Sequence, residues 1–239
     1  MSYTEVVLQY TYPVFIIKDN KPELIVTSII IYLDNKYYLI TASHVIDEVD
    51  KVKSSFFIGV HDKIISTACE LCCSIPNSST KKDNFDIGFF ELDKEFVKAN
   101  EIVSFPLYEE NIANNDTEKY VGLLCGYPVS ANMNHPQKAF RKDHTKYRGK
   151  PYWYDNIILA DKENGSIIMS YGKNKNGEMP KKLRGMSGGG MWACYIANEK
   201  LQLAGIFIEH HKKRRNDKDA LYATPIREVV QFIRKYSRY

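Results

Sequence analysis

The stretch Arg184–Trp192, RGMSGGGMW, sets three consecutive glycines directly behind Ser187, with Gly185 two residues ahead of it. Glycine-rich stretches mark turns, or places where backbone must approach another group closely. A serine hydroxyl in such a stretch is a weak nucleophile unless a base takes its proton. That base is most often a histidine, held in one tautomer by a carboxylate. Working outward from Ser187 therefore means asking whether a histidine and an aspartate stand upstream in suitable settings.

Two stretches offer them. In YLITASHVIDEV (residues 38–49), His44 follows an apolar, strand-like run and leads into a segment that can form a short helical turn. The small residues Ala42 and Ser43 let neighbouring backbone pack close to the imidazole. In DNFDIGFFELD (83–93), Asp86 opens the apolar run Ile87–Phe90. A carboxylate entering a buried strand must be hydrogen-bonded or paired. Asp83 and Asp93 lie in polar surroundings and read as turn residues. Taken singly, His44 also reads as a surface or hydrogen-bonded histidine, and Asp86 as a strand-start aspartate.

The totals restrict the alternatives. The chain has 239 residues, 44% hydrophobic and 26% charged, which is ordinary for a globular protein with a normal core. Its net charge of +4 is modest and the basic residues are scattered, so nucleic acid is not expected as a partner. The five cysteines are odd in number; Cys69 and Cys72 form a C-x-x-C without a second pair, so no metal site and no cofactor is expected. This usage points to a reducing compartment. The opening residues lack a signal-peptide pattern, and no apolar run approaches the roughly 18 residues of a membrane span. The expected location is the cytoplasm, without membrane association.

Strand signals dominate the chain. PVFII, LIVTSIIIYL, KYYLITAS, SSFFIGV, DIGFFEL, YVGLLCGY, NIILA, SIIMSYG, GGMWACYI and QLAGIFIEH are short, rich in β-branched and aromatic residues, and separated by turn chemistry. This spacing predicts an all-β barrel or sandwich. TPIREVVQFIRKYSRY, at the C-terminal end, instead has Ile226, Val229, Val230 and Ile233 on one helical face, with Thr224 before Pro225 as the helix start. Residues 130–154, aromatic and basic, read as a long loop or a connection between barrels.

With these residues in view, the chain resembles the trypsin-like (chymotrypsin-fold) serine proteases, in the style of their bacterial, disulfide-free members. LITASHVI is similar to their histidine motif, DIGFFEL to their aspartate strand and GMSGGG to their G-x-S-G-G nucleophile motif, in the same order and at similar gaps. LLCGYP resembles the strand opening the second barrel, LQLAGIFIEHH the strand lining the substrate cleft, and ALYATPIREVVQFI the last strand and helix. The fold this implies is two six-stranded antiparallel β-barrels with a C-terminal α-helix: residues 1–115 carrying His44 and Asp86, and residues 116–239 carrying Ser187.

The resemblance also implies roles. Ser187 is the nucleophile, His44 the base and Asp86 its orienting carboxylate, with the backbone N–H groups of Gly185 and Ser187 facing the oxyanion. Lys181 lies near the base of the pocket for the residue before the scissile bond, where it would favour an acidic side chain. The alternative is that Lys181 and Lys182 are solvated loop residues. Ile208, Glu209 and His210 lie beside the substrate backbone. The chain departs from the family at Met186, where many members carry Asp or Asn, at Gly190, where proline is common, and at IVTSIIIYL, which stands where the family has S-G-T/S-G. Met186 cannot pair with a freed N-terminus. The expected activity is a serine endopeptidase acting on a protein or peptide substrate, narrow in specificity or latent until a regulatory protein partner binds. The alternative is a catalytically silent, protease-like binding module.

Overall fold

A computed structural model describes residues 2–19, 21–44, 46, 56–67, 71–74, 86–113, 121–132, 149–160, 166–173, 182–195, 200–211 and 219–237. The chain begins with a short helix, Tyr3–Leu8, held by a reciprocal cap between Ser2 and Glu5. The N-terminal strands follow: β1 (Thr11–Lys18), β2 (Lys21–Leu33), β3 (Lys36–Thr41), β4 (Phe57–Val60), β5 (Lys63–Ser66), β6 (Leu71–Ser74) and β7 (Gly88–Leu92). A helix at Lys94–Ala99, capped by Asp93, leads to the two-residue β8 (Phe105–Pro106). The remaining strands are β9 (Val121–Gly126), β10 (Tyr152–Ala160), β11 (Ile167–Ser170), β12 (Gly190–Tyr195), β13 (Lys200–His211) and β14 (Ala220–Pro225), and the helix Ile226–Tyr236 ends the fold. No helix among the described residues is long and apolar enough to cross a membrane.

The architecture is mostly antiparallel β, in two parts. β9–β14 close into a six-stranded barrel in the order β10-β11-β14-β13-β12-β9. β1–β7 form a sheet in the order β5-β4-β1-β2-β3-β7-β6, with β8 added in parallel to β2 as its eighth strand. The six-stranded barrel expected of residues 1–115 is not closed among the described residues. Among the described residues the sheet has eight strands, and its edges β5 and β6 are not paired with each other. Two of the extra strands, β6 and β8, are short, and β8 pairs only through Ile31↔Phe105 and Tyr32↔Pro106.

All ten strand-like runs of the sequence form strands. The predicted loop over 130–154 is too long at its end, since β10 already begins at Tyr152. Tyr152, Trp153 and Tyr154 are good strand formers and pair with Gly126, Cys125 and Leu124. The predicted helix start at Thr224 also shifts by one residue. Thr224 stays in β14 opposite Ile206, and Pro225 takes the cap position without a side-chain hydrogen bond.

The core explains why β2 reads as one apolar run. Alternate residues of a strand face opposite sides, and β2 is covered on both. Ile29, Ile31 and Leu33 face a cluster shared with the barrel residues Leu123, Trp192, Leu203 and Ile206. Val26 and Ile30 face a second cluster with Val14, Leu39, Ile58 and Phe90. The C-terminal helix seals the shared cluster with its predicted face of Ile226, Val229, Val230 and Ile233. Its other side reaches the sheet through Arg234, which binds Asp34 at 2.8 and 3.1 Å.

Burial and charge make different demands on that helix. Ile233 is buried, and truncating such a residue costs about 2–5 kcal/mol. The Arg234–Asp34 pair is solvent-exposed, and such pairs contribute about 0–1 kcal/mol. Urea unfolding followed by Trp192 fluorescence is expected to show a large loss for Ile233→Ala and a small one for Arg234→Ala. The reverse ranking would mean that the ion pair, not the apolar face, holds the helix.

Candidate functional site

The site begins with a register. β3 and β7 pair as Thr41↔Gly88 and Ile40↔Phe89, so continuing the same register brings Ser43 opposite Asp86. The Ser43 N–H donates to the Asp86 carbonyl at 3.3 Å, which keeps the two chains together beyond the last paired strand residues. His44, next along, then meets the Asp86 side chain. Its Nδ1 lies in a short hydrogen bond with Asp86 Oδ2, and its backbone N–H donates to Oδ1 at 2.8 Å. The Ser43 hydroxyl donates to the same Oδ1 at 2.8 Å.

Asp86 is 4% exposed. Burial is the largest influence on it and pushes its pKa up, but the bonds from His44 and Ser43 outweigh burial and hold the carboxyl below its ordinary value of 3.8. Asp86 is therefore a buried carboxylate supplied with donors. His44 is half-buried, its ring turned by Asp86 so that Nε2 faces away from the carboxylate.

Ser187 reaches this place through its backbone. The register of β2 with β3, Ile29↔Ile40 onward, would carry Thr27 opposite Ala42, but β3 ends at Thr41 as the chain turns toward His44. The edge of β2 at Thr27 is thus open, and the Ser187 loop fills it. The Thr27 N–H donates to the Ser187 carbonyl at 3.1 Å. Gly188 sits directly on the end of β3: a Cβ there would lie 2.2 Å from the Thr27 carbonyl oxygen and 2.9 Å from the Thr41 Cα. Its φ of +83° is itself a glycine conformation. The serine is thereby fixed three residues from His44 in the neighbouring chain segment.

The loop is held from the barrel side as well. Gly188 N–H donates to the Phe207 carbonyl at 2.7 Å, and Phe207 N–H to the Gly189 carbonyl at 2.9 Å. Met186 N–H donates to Leu183, and Gly189 N–H to Met186. The N–H groups of residues 186, 188 and 189 are therefore used. Those of Gly185 and Ser187 have no hydrogen-bond partner among the described residues. Buried backbone donors are nearly always paired, and Gly185 is buried with φ at +90°. Two alternate N–H groups left open beside a serine can accept developing negative charge on a reacting oxygen. The Ser187 hydroxyl, partly exposed, also has no hydrogen-bond partner among the described residues, so no bond joins it to His44 here. Nucleophile–base contacts are often long in ligand-free sites and tighten when substrate binds.

Beyond Phe207, β13 carries the residues expected beside a substrate. Ile208 is buried and occupies a bulge between the pairs Phe207↔Ala223 and Glu209↔Tyr222; Glu209 is exposed. His210 is partly buried, with Nε2 3.1 Å from Asp219 Oδ2 and its ring 4.3 Å from that of Tyr171. Burial, followed by Tyr152, Tyr154 and Asp219, pushes the Tyr171 hydroxyl up to about 12. Lys181, the residue expected near the base of the pocket, lies outside the described residues, as do His135, His144, Cys69 and residues 212–215. Lys182 is exposed, as the solvated-loop alternative has it. Met186 is fully buried in the barrel core beside Leu183 and Met191.

Sequence reasoning missed Ser43 as a hydrogen-bond donor, Thr27 and Thr41 as the seat of the serine loop, and the Asp219–His210–Tyr171 group. Ser43 carried a signal, being adjacent to His44, but was read only as small. The others lie within strand runs or near a chain turn and become visible only once the register is known. Among the described residues no group of three or more His, Cys, Asp or Glu side chains is placed to hold a metal ion. No protein-family model matches the chain, and no curated protein matches it.

Because the fold favours the ionised form of Asp86, its bonds add stability above about pH 4, and this is lost as pH falls through the lowered pKa. The stability difference between the protein and Asp86→Asn, measured by urea unfolding, is expected to be large at pH 7 and to shrink below pH 4. A difference independent of pH would contradict the role given to the charge. Gly188→Ala is expected to destabilise the fold by more than about 1 kcal/mol, since strain at positive φ and the clash with Thr27 add together. A calorimetric melting temperature equal to that of the parent protein would contradict that close approach.

Proposed function

We propose that the chain is a serine endopeptidase of the trypsin-like (chymotrypsin-fold) type, with Ser187, His44 and Asp86 as its triad. The observation that carries the reading is the pairing of two features at one seam: a buried Asp86, its ionised form favoured, orienting His44, and a serine loop whose Gly185 and Ser187 N–H groups have no partner among the described residues. Ser187 Oγ attacks the scissile carbonyl carbon as His44 Nε2 takes its proton. The carbonyl oxygen, now negative, is received by the two N–H groups. The protonated His44 gives its proton to the leaving amine, the peptide bond breaks, and the acyl group stays on Ser187. Water, deprotonated by His44, then releases the acid and restores the serine. Asp86 fixes the tautomer and stabilises the imidazolium.

In this reading residues 1–115 and 116–239 are the two lobes of the protease, and the substrate is a protein or peptide lying along β13 beside Ile208, Glu209 and His210. Lys181 favours an acidic side chain before the scissile bond. Specificity is narrow, or a regulatory protein partner brings the Ser187 hydroxyl to His44. The buried free thiols Cys125 and Cys194 agree with a reducing, cytoplasmic setting, such as that of a bacterium. A second reading, a catalytically silent binding module on the same scaffold, is favoured by one observation, the lack of a hydrogen bond to the Ser187 hydroxyl among the described residues.

A serine-reactive fluorophosphonate separates the two. The enzyme reading expects covalent labelling that disappears in Ser187→Ala and in His44→Ala, and slows by about 10⁴ in Asp86→Asn, where the histidine loses its tautomer. Folded protein that stays unlabelled, alone and with its cell lysate added, would support the binding module.

A further inference from the structure

The four carbonyls of residues 184–187 each accept a hydrogen bond. Arg184 accepts from Val129 N–H at 2.8 Å, Met186 from Gly189 N–H at 3.0 Å and Ser187 from Thr27 N–H at 3.1 Å. The Gly185 carbonyl accepts from the Thr27 hydroxyl at 2.8 Å. Three of these donors are backbone; the hydroxyl of Thr27 is the side-chain donor in the set. A peptide unit is planar, so fixing its C=O fixes the direction of the N–H on its far side. Peptide 185–186 links the two peptides that carry the open N–H groups. If it rotates, the Gly185 and Ser187 N–H groups change direction relative to each other.

We propose that Thr27 is a positioning residue for the oxyanion-binding N–H groups, acting through its hydroxyl on the Gly185 carbonyl; this rests on the protease reading above. Thr27 is fully buried and committed at each polar atom. Its N–H and hydroxyl hold the Ser187 and Gly185 carbonyls, its Oγ1 accepts from Tyr127 N–H at 2.8 Å, and its own carbonyl accepts from the Thr41 hydroxyl at 2.9 Å. One structural fact leaves its backbone available for this work: its N–H and carbonyl face the β3 side, and the pairing of β2 with β3 ends at Ile29↔Ile40, before it reaches Thr27. The Gly126 backbone lies so close that a Cβ there would sit 2.9 Å from Thr27 Oγ1, which fixes the hydroxyl's place. A side chain of the N-terminal sheet thus sets the geometry of a loop of the barrel. The sheet's other contribution, His44, leaves β3 three residues after Thr41, so base and oxyanion donors are indexed to the same pair of strands.

The test compares Thr27→Val, which keeps the shape and removes the hydroxyl, with Thr27→Ser, which keeps the hydroxyl. The rate of fluorophosphonate labelling is expected to fall about 10- to 100-fold in Thr27→Val, somewhat less than the loss of a whole oxyanion donor. It should stay within about threefold of the parent in Thr27→Ser. The midpoint of the labelling rate against pH should not move, because His44 and Asp86 are untouched. In ligand-free protein labelled with ¹⁵N, the amide resonances of Gly185 and Ser187 should shift in Thr27→Val and not in Thr27→Ser. Thr27→Cys, with a poor donor in the same place, serves if Thr27→Val does not fold. Equal labelling rates with unchanged amide resonances would overturn the proposal, as would equal losses in the valine and serine variants. If the parent protein does not label at all, the protease reading fails, while the amide resonances still decide whether Thr27 sets the loop.

Discussion

The pairing of β2 with β3 stops at Ile29↔Ile40, two positions before it would cover Thr27, and the candidate site depends on what occupies the edge left open. Backbone N–H and C=O groups inside a protein must find partners. The N–H and carbonyl of Thr27 face the side on which β3 has already ended. The Ser187 carbonyl takes the Thr27 N–H, the Thr41 hydroxyl caps the Thr27 carbonyl, and Gly188 lets the serine loop come close enough. One unmet backbone requirement in the sheet thereby draws a distant loop, 160 positions along the chain, to the end of the strand that leads into His44.

The same logic governs the carboxylate. A buried charge is tolerated only with donors around it, and Asp86 has the His44 ring, the His44 N–H and the Ser43 hydroxyl. Those bonds hold Asp86 ionised and also hold the imidazole, so the cost of burying the charge and the orientation of the ring are one arrangement. On the barrel side, the hydrogen bonds of the loop occupy the N–H groups of residues 186, 188 and 189 and leave those of 185 and 187 without a partner among the described residues. An ordered pattern of used and unused donors, rather than any single bond, is what gives the loop its chemical reading.

The sequence made much of this legible, and for identifiable reasons. Ten of the fourteen strands announced themselves through β-branched and aromatic runs, and the C-terminal helix through the spacing of Ile226, Val229, Val230 and Ile233. Asp86 stood out because a carboxylate at the start of the apolar run Ile87–Phe90 needs a partner, and Gly185 and Gly188 because so much backbone freedom around a serine points to a turn or a close contact. What stayed hidden were properties of register. Thr27 sits with Ser28 inside a strand-like run and looks like strand filling; its role follows only from where β3 stops. The eight-strand pairing of the sheet was hidden too, because β5, β6 and β8 carry no apolar run like those of the other strands of the sheet. The bond between His210 and Asp219 joins two strand ends across residues 212–218, which no local pattern foretells.

The central claim is that Ser187, His44 and the two open N–H groups form one reaction centre. The most direct measurement is a crystal structure of the protein after reaction with a fluorophosphonate. The account predicts a phosphorus atom bonded to Ser187 Oγ, its phosphoryl oxygen within hydrogen-bond distance of both the Gly185 and Ser187 N–H groups, and His44 Nε2 turned toward the adduct. An adduct on another residue, or one on Ser187 with its phosphoryl oxygen directed away from both N–H groups, would contradict it.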